Sequence, residues 1–447
     1  MSSPNMIKMD KVQEYMDAYA NCGFFNGSVL VAHKGNVLIS KGYGLANMEC
    51  NSPNTPQTKF RIASLTKGFT SMAIMQLEEK GLLQVDQSLN QFIPDYPMGE
   101  QITIHHLLTH SSGITNHTNL PHFNDKIRPL IWSIENLINE FKHYELEFKP
   151  GERNAYCNSG YILLTFIIEQ VSGQTYSEYL QEHIFNPLGM NDTGVDINRK
   201  LVPNRAIGYD LDKEFIHTVN NNMSTMLGAG ALYSTVEDLY KWDQALYTNK
   251  LVSKQTLKRM FTTYFSRESC GWDVGYGWEL TPLEVNCLFK NRISHRGDVE
   301  GFVSWFSRFI DDELTVIVLS NTMIAPAGVI NDNLAKIVFG CDIPSPMIPN
   351  FIDVNDMQGF VGEYVKEDSI TEKLSVTLED NKLYFSPQQY KYEIHPILKQ
   401  DHSIDFVADY IDERFSFLMN DQNKIDQVIY TDATGISTSF KKVGTIC

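Results

Sequence analysis

The sequence predicts an α+β domain over residues 1–343 and a small all-β domain over residues 350–447. Three observations carry this. Strand-like runs stand at both ends of the first part with helical stretches between them, an order that lets the two ends share one sheet. Pro344, Pro346 and Pro349 lie within six residues and read as a linker or boundary. Beyond them the chain breaks into short alternating runs separated by turns, the pattern of a small sandwich or barrel.

Taken in order, residues 11–18 read as a first helix after a polar start. Residues 27–32 and 37–41 flank Lys34-Gly35-Asn36 as a β-hairpin. The pattern turns helical over 65–79, and Gly81 supplies a stop. Further helices are expected at 104–109 and at 161–171, the second reading as a buried helix closed by Gly173. Ser234 and Glu237 have the spacing of a capping box opening a helix to about residue 246. Strands return near 293, and 301–309 and 314–320 flank Asp311-Asp312 as a second hairpin. In the last part, strands are expected at 374–378, 382–385, 404–407, 415–418 and 428–430.

Composition narrows the function. Of 447 residues, 43% are hydrophobic and 20% charged, which is ordinary globular usage. Lysine and arginine number 37 against 54 acidic residues, a formal charge of −17 that argues against a nucleic-acid or anionic-membrane partner. The seven cysteines form no Cys-x-x-Cys pair, so they read as reduced, mostly buried thiols. The start lacks the apolar core of a signal peptide, and no stretch reaches the length of a membrane span. As written, the chain is expected in the cytoplasm.

Serine acyl transfer needs a hydroxyl, a base beside it and donors for an oxyanion. Ser64 and Lys67 lie three apart, and on a helix they share a face. Burial lowers a lysine pKa toward the neutral form a base requires. By itself this pair is weak, because an N-cap serine followed by an exposed lysine has the same spacing. Two further segments change the balance. Tyr156 and Asn158 stand two apart before a helix, so in extended chain both face one cleft. His295-Arg296-Gly297-Asp298 opens a strand, where a glycine at the edge admits another backbone.

Other chemistries fit less well. His105, His106 and His110 include an i, i+4 pair, but no His-Glu-x-x-His arrangement accompanies it, and a structural or capping role is the simpler reading. Gly228 and Gly230 are not followed by the third glycine of a dinucleotide fingerprint. Ser64 does not sit in a Gly-x-Ser-x-Gly elbow.

Ser64-Leu65-Thr66-Lys67, Tyr156-Cys157-Asn158 and His295-Arg296-Gly297, in that order, resemble the three motifs of the penicillin-recognising serine hydrolases. These are the penicillin-binding proteins, the class C β-lactamases and their esterase and D-peptidase relatives. Residues 107–113, 150–152, 186–190 and 230–235 are similar to recurrent stretches of the same group, so the resemblance spans roughly residues 20 to 340. The C-terminal part is similar to lipocalin-like barrels appended to some members.

The resemblance implies a β-lactamase/transpeptidase-like fold with the site between a helical half and an antiparallel sheet. It implies that Ser64 is acylated while Lys67 and Tyr156 share the proton work, either one acting as base. The backbone N–H groups of Ser64 and Asp298 would form the oxyanion hole, Asn158 would orient a substrate amide, and His295 and Gly297 would line the substrate strand. Arg296 would hold a substrate carboxylate or lie on the outer face. No metal or organic cofactor is implied, and the expected substrate is a small peptide, ester or β-lactam. Histidine stands where lactamases usually carry lysine, which shifts the expectation toward a D-amino-acid peptidase of carboxypeptidase type. An esterase, a weak β-lactamase or a non-catalytic ligand sensor is the alternative. With an ordinary pKa near ~6.5, His295 would lose its charge across neutral pH.

Overall fold

The computed structural model describes residues 4–444 except 198–199, 267, 269–270, 347–350, 353, 355–356, 367–368, 387–389, 399–403 and 423. Five principal strands, numbered in chain order, build its central antiparallel sheet: β1 (Gly27–His33), β2 (Asn36–Tyr43), β3 (Ile293–Val299), β4 (Phe302–Phe309) and β5 (Leu314–Ser320). Their spatial order is β3-β4-β5-β1-β2. The expected sharing of one sheet is therefore met by β1 against β5, with Gly27 opposite Ser320 and Val31 opposite Val316.

The two central strands are buried on both faces, which is why they read as unbroken apolar runs. Alternation divides their side chains. Val29, Val31, Val316 and Val318 meet Val12, Tyr15 and Met16 of helix α1 (Pro4–Asn21) and Ile330 and Leu334 of a helix over residues 327–338. Leu30, Ala32, Ile317 and Leu319 face the helical half of the domain. At the centre of that half lie α2 (Thr66–Glu79) and α3 (Asn158–Ser172). α2 buries every residue from Thr66 to Leu77, as a helix surrounded by other elements must. α3 ends at Gly173, whose φ of 71° gives the left-handed cap the sequence implied.

The first hairpin turns on Lys34 and Gly35, both at positive φ. In the second hairpin Asp311 and Asp312 form a short 3-10 turn, and the left-handed residue is Glu313. The capping expectation needs correction by one residue. Thr235, not Ser234, caps the helix over 236–245 and accepts from the Asp238 N–H. Ser234 is instead the last residue of a three-residue strand. The cysteine expectation also fails in part. The described cysteines are unbridged, yet Cys157 alone of them is buried, and Cys50 and Cys287 are exposed; Cys270 and Cys447 lie outside the described residues.

The C-terminal part is a closed eight-stranded barrel in which the strand Gly362–Lys366 pairs with the last, Ser437–Gly444. Tyr364, Phe385, Tyr392, Phe406, Phe415 and Phe440 fill it. Leu211 and Ile324 of the preceding domain join this core, and Glu379 of the barrel ion-pairs with Lys213 as well as Lys391. Of the proline-rich stretch, residues 347–349 lie outside the described residues.

Candidate active site

Ser64 sits on a 3-10 turn, Ala63–Leu65, that runs directly into α2. Ala63 has a φ of 46°, a left-handed conformation that costs a non-glycine residue free energy and persists only when its surroundings impose it. Here the Ile62 N–H donates to the Leu232 carbonyl at 2.9 Å, and the Ile62 carbonyl accepts from Ser304 Oγ at 2.9 Å. The turn is thus clamped between a short strand and the sheet, with Ser64 presented at its crest.

Lys67, one helical turn on, is fully buried. Its Nζ lies 3.1 Å from Ser64 Oγ, 2.9 Å from Asn158 Oδ1 and 2.7 Å from the Ala229 carbonyl oxygen. Tyr156 and Tyr161 present their ring faces to it at 4.7 and 5.4 Å. Burial holds the Lys67 amine well below the ordinary lysine range. Tyr156 approaches from the other side, its O–H donating to Ser64 Oγ at 2.8 Å, and burial pushes its phenol up. Both neighbours of the serine hydroxyl are therefore biased toward their uncharged forms.

Asn158 is the first residue of α3, so it lies on the helix and not on the loop before it. Its Oδ1 is taken by Lys67, and its Nδ2 donates to Thr118 Oγ1 at 3.3 Å, leaving one N–H. The third segment is the edge strand β3. Ser294 turns its N–H and C=O away from β4 to pair with Glu279, at 2.8 and 2.9 Å. The period of two then points the N–H groups of Arg296 and Asp298 off the same open edge. A Cβ on Gly297 would lie 2.5 Å from the Ile62 oxygen and 2.9 Å from Ser64 N, so only glycine lets this strand approach the serine backbone so closely.

His295 departs from the expectation of a histidine that titrates near neutrality. It is buried, with Nδ1–H donating to the Arg296 carbonyl at 2.5 Å. Burial, and secondarily the Lys67 charge, lower its pKa to about 3. The imidazole is neutral from pH 6 to 8, and no charge fades there. Arg296 lies on the opposite face of the strand, more than half exposed, with Nε 2.7 Å from Asp298 Oδ2. Of the two arrangements weighed for Arg296, this is the outer-face one.

Two contributors escaped the sequence reading. His110, at a φ of 57°, stacks on Tyr156 with centroids 4.5 Å apart, and its Nδ1 accepts the Cys157 N–H at 3.1 Å. The Ala229 carbonyl holds Lys67, and Gly228 makes that possible, since a Cβ there would lie 2.3 Å from Thr165 Oγ1. The glycines flanking Ala229 were visible, but as an incomplete phosphate motif. His105 and His106 are occupied elsewhere, by the Tyr276 hydroxyl and by the Thr103 N–H of a capping box.

The sequence pattern of the Beta-lactamase family matches residues 10–338. The chain belongs to that family. Among its relatives, Penicillin-binding protein 4* of Bacillus subtilis is 33% identical over 404 residues, covering 83% of this chain and 86% of that protein. The structure of the octameric penicillin-binding protein homologue from Pyrococcus abyssi superposes with a TM-score of 0.67 at 27% identity, over 97% of this chain and 99% of that one. The D-amino acid amidase from Ochrobactrum anthropi shares the fold, with a TM-score of 0.64 at 23% identity over 74% of this chain and 98% of its own. The Beta-lactamase family is one of serine hydrolases, and its α+β fold here carries the eight-stranded barrel as an appended all-β domain. No helix among the described residues is long and apolar enough to cross a membrane.

Proposed function

We propose that the protein is a serine hydrolase that forms an acyl-enzyme on Ser64 and cleaves a small D-amino-acid-containing peptide, as a peptidase of the penicillin-binding type. The convergence of Lys67 Nζ and Tyr156 O–H on Ser64 Oγ, at 3.1 and 2.8 Å, carries this reading. Residues 1–343 would form the catalytic unit, and the barrel over 350–447 an appendage.

The hydrogen bonds support one division of labour. The acceptors at Asn158 and Ala229 take two N–H groups of Lys67. A neutral amine has only two, so its lone pair is left facing Ser64 Oγ. Lys67 thus takes the serine proton as Oγ attacks the carbonyl, and Tyr156, kept protonated, gives one to the leaving group. The N–H groups of Ser64 and Asp298 hold the oxyanion until the bond to the leaving group breaks. Water, activated by the same pair, then releases the acyl group.

A fluorescent penicillin or a fluorophosphonate tests the covalent step. Wild type is expected to label and Ser64→Ala to remain blank; an unlabelled wild type, or an equally labelled Ser64→Ala, refutes the acyl-enzyme. A short-chain esterase is the second reading, favoured by the uncharged His295, and an ester assay run beside a D-Ala-D-Ala peptide separates the two.

The pH profile follows from the directions of the shifts. Activity requires neutral Lys67, so it is lost as pH falls through a lysine pKa held well below the usual ~10.4. It also requires protonated Tyr156, whose raised pKa places the alkaline loss above the usual ~10. The expected kcat/KM for a neutral ester is a plateau across these limits, with no step from His295 between pH 6 and 8.

A further inference from the structure

We propose that a clasp made by Glu300, Arg128 and Asn221 closes one end of the cleft, so that the protein takes short peptides and not the interior of a long chain. This rests on the serine-hydrolase reading above and names the substrate class within it. Three segments wall the cleft, and each is anchored near Ser64. The segment leading to Arg128 is held there by Thr118 Oγ1, which accepts from Asn158 Nδ2 at 3.3 Å. The segment following Asn221 is held by the Ala229 carbonyl, which accepts from Lys67 at 2.7 Å. The strand β3 is held where Gly297 meets the Ser64 backbone.

The same three segments meet again away from the serine. Glu300, at the tip of the β3–β4 hairpin, accepts from Arg128 Nη1 at 3.1 Å and from Asn221 Nδ2 at 2.6 Å. The Arg128 carbonyl accepts the Asn222 N–H at 2.9 Å. The walls that part around Ser64 are thus rejoined by an ion pair and two hydrogen bonds. Both charged side chains of the pair are only 20% exposed. Partial burial and a second donor on the carboxylate make such a pair harder to displace than one on open surface.

Beyond the clasp lies a cavity of about 740 Å³, lined by Arg128 and Glu300 together with Asn124, Asp212 and, from the barrel, Tyr390. Asp298 reaches it with a side chain on the outer face of β3, and no other group placed around Ser64 lines it. The clasp is therefore a partition between two spaces. At the other end of the edge, the backbone of Glu279 already occupies that of Ser294. At ~3.3 Å per residue, Asp298 stands ~7 Å from the clasp and ~13 Å from that second stop. An extended substrate with its scissile carbonyl at the Asp298 N–H then has room for about two residues toward the clasp and about four the other way.

The test uses the full chain and neutral, end-blocked peptides with a single D-Ala-D-Ala bond. One series is lengthened by glycines on the acyl side and the other on the leaving side, with products read by chromatography. In one series kcat/KM is expected to fall by about tenfold or more as the third residue is added, the scale of displacing one charge-assisted hydrogen bond. In the other series the fall should come only after the fourth. Glu300→Ala and Arg128→Ala should each remove the early fall, because either opens the cleft into the cavity. Lys41→Ala, which breaks the exposed pair with Asp17, should leave it in place. Labelling at Ser64 checks that each variant keeps its site, and Arg128→Ala reads the same question if Glu300→Ala does not fold. No early fall in either series, or one that persists in the clasp variants, overturns the clasp while the serine-hydrolase reading stands. A wild type that neither cleaves nor labels at Ser64 overturns both.

Discussion

Replacing Lys67 by methionine is expected to lower kcat by about a thousandfold, within the range of general-base catalysis. Tyr156→Phe should cost about a hundredfold or more, and the double variant little beyond the worse single one. The reason for the non-additivity is that both groups act on a single atom. With the Lys67 lone pair gone, Ser64 keeps its proton and the Tyr156 donor has no developing charge to serve. Burst kinetics with a neutral ester, comparing the two singles and the double, would check this; additive losses would mean that the two groups act in separate steps. Stability should move the other way. Lys67 is a fully buried amine, and no carboxylate lies among the three groups within hydrogen-bond reach of its Nζ. Methionine of similar shape removes a buried polar group, so the melting temperature of Lys67→Met should equal or exceed that of wild type.

The second large effect lies away from the site. Arg308 of β4 and Asp243 of the helix over 236–245 are both fully buried, with Nε 2.8 Å from Oδ1. Thr315 Oγ1 adds a bond to Oδ2 at 2.6 Å, and the rings of Tyr247 and Phe261 cover the guanidinium at 4.5 and 5.6 Å. This pair ties the sheet to the helix behind it. Asp243→Ala leaves the arginine charge buried and unpaired, which costs about 3–5 kcal/mol. Replacing both partners, as Asp243→Leu with Arg308→Met, should recover much of that loss. Urea unfolding midpoints of the single and double variants measure it; equal midpoints for wild type and Asp243→Ala would mean that water or another group compensates.

Sequence was most informative where one physical rule decides. The apolar runs of β1 and β5, the buried α3 and the Gly173 cap all follow from periodicity and backbone freedom. Five of the eight barrel strands were legible for the same reason. The strand Tyr392–Leu398 was hidden by His395 and Pro396, because a proline inside a run argues against a strand. Ser437–Gly444 was hidden because Phe440 is its one buried apolar residue. At the site, Ser64, Lys67 and Tyr156 were legible as spaced motifs, and they meet. What spacing cannot carry is desolvation. The neutrality of His295 comes from the walls around it, the pairing of Arg296 with Asp298 from the face it occupies, and the parts played by His110 and Ala229 from contacts between distant segments.

The pairing of Gly27 with Ser320 has a consequence for biosynthesis. The strand that approaches Ser64 reaches its place only through β4 and β5, and β5 docks on β1, which is made long before it. Loop closure over so long a span is slow, and it cannot begin until the late strands leave the ribosome. A nascent or truncated chain can form α2, with Ser64 at its entrance, yet it lacks the edge that Asp298 supplies. On the reading proposed above, Ser64 is thus in place before its partners, and the site is complete only when β3, β4 and β5 have joined β1.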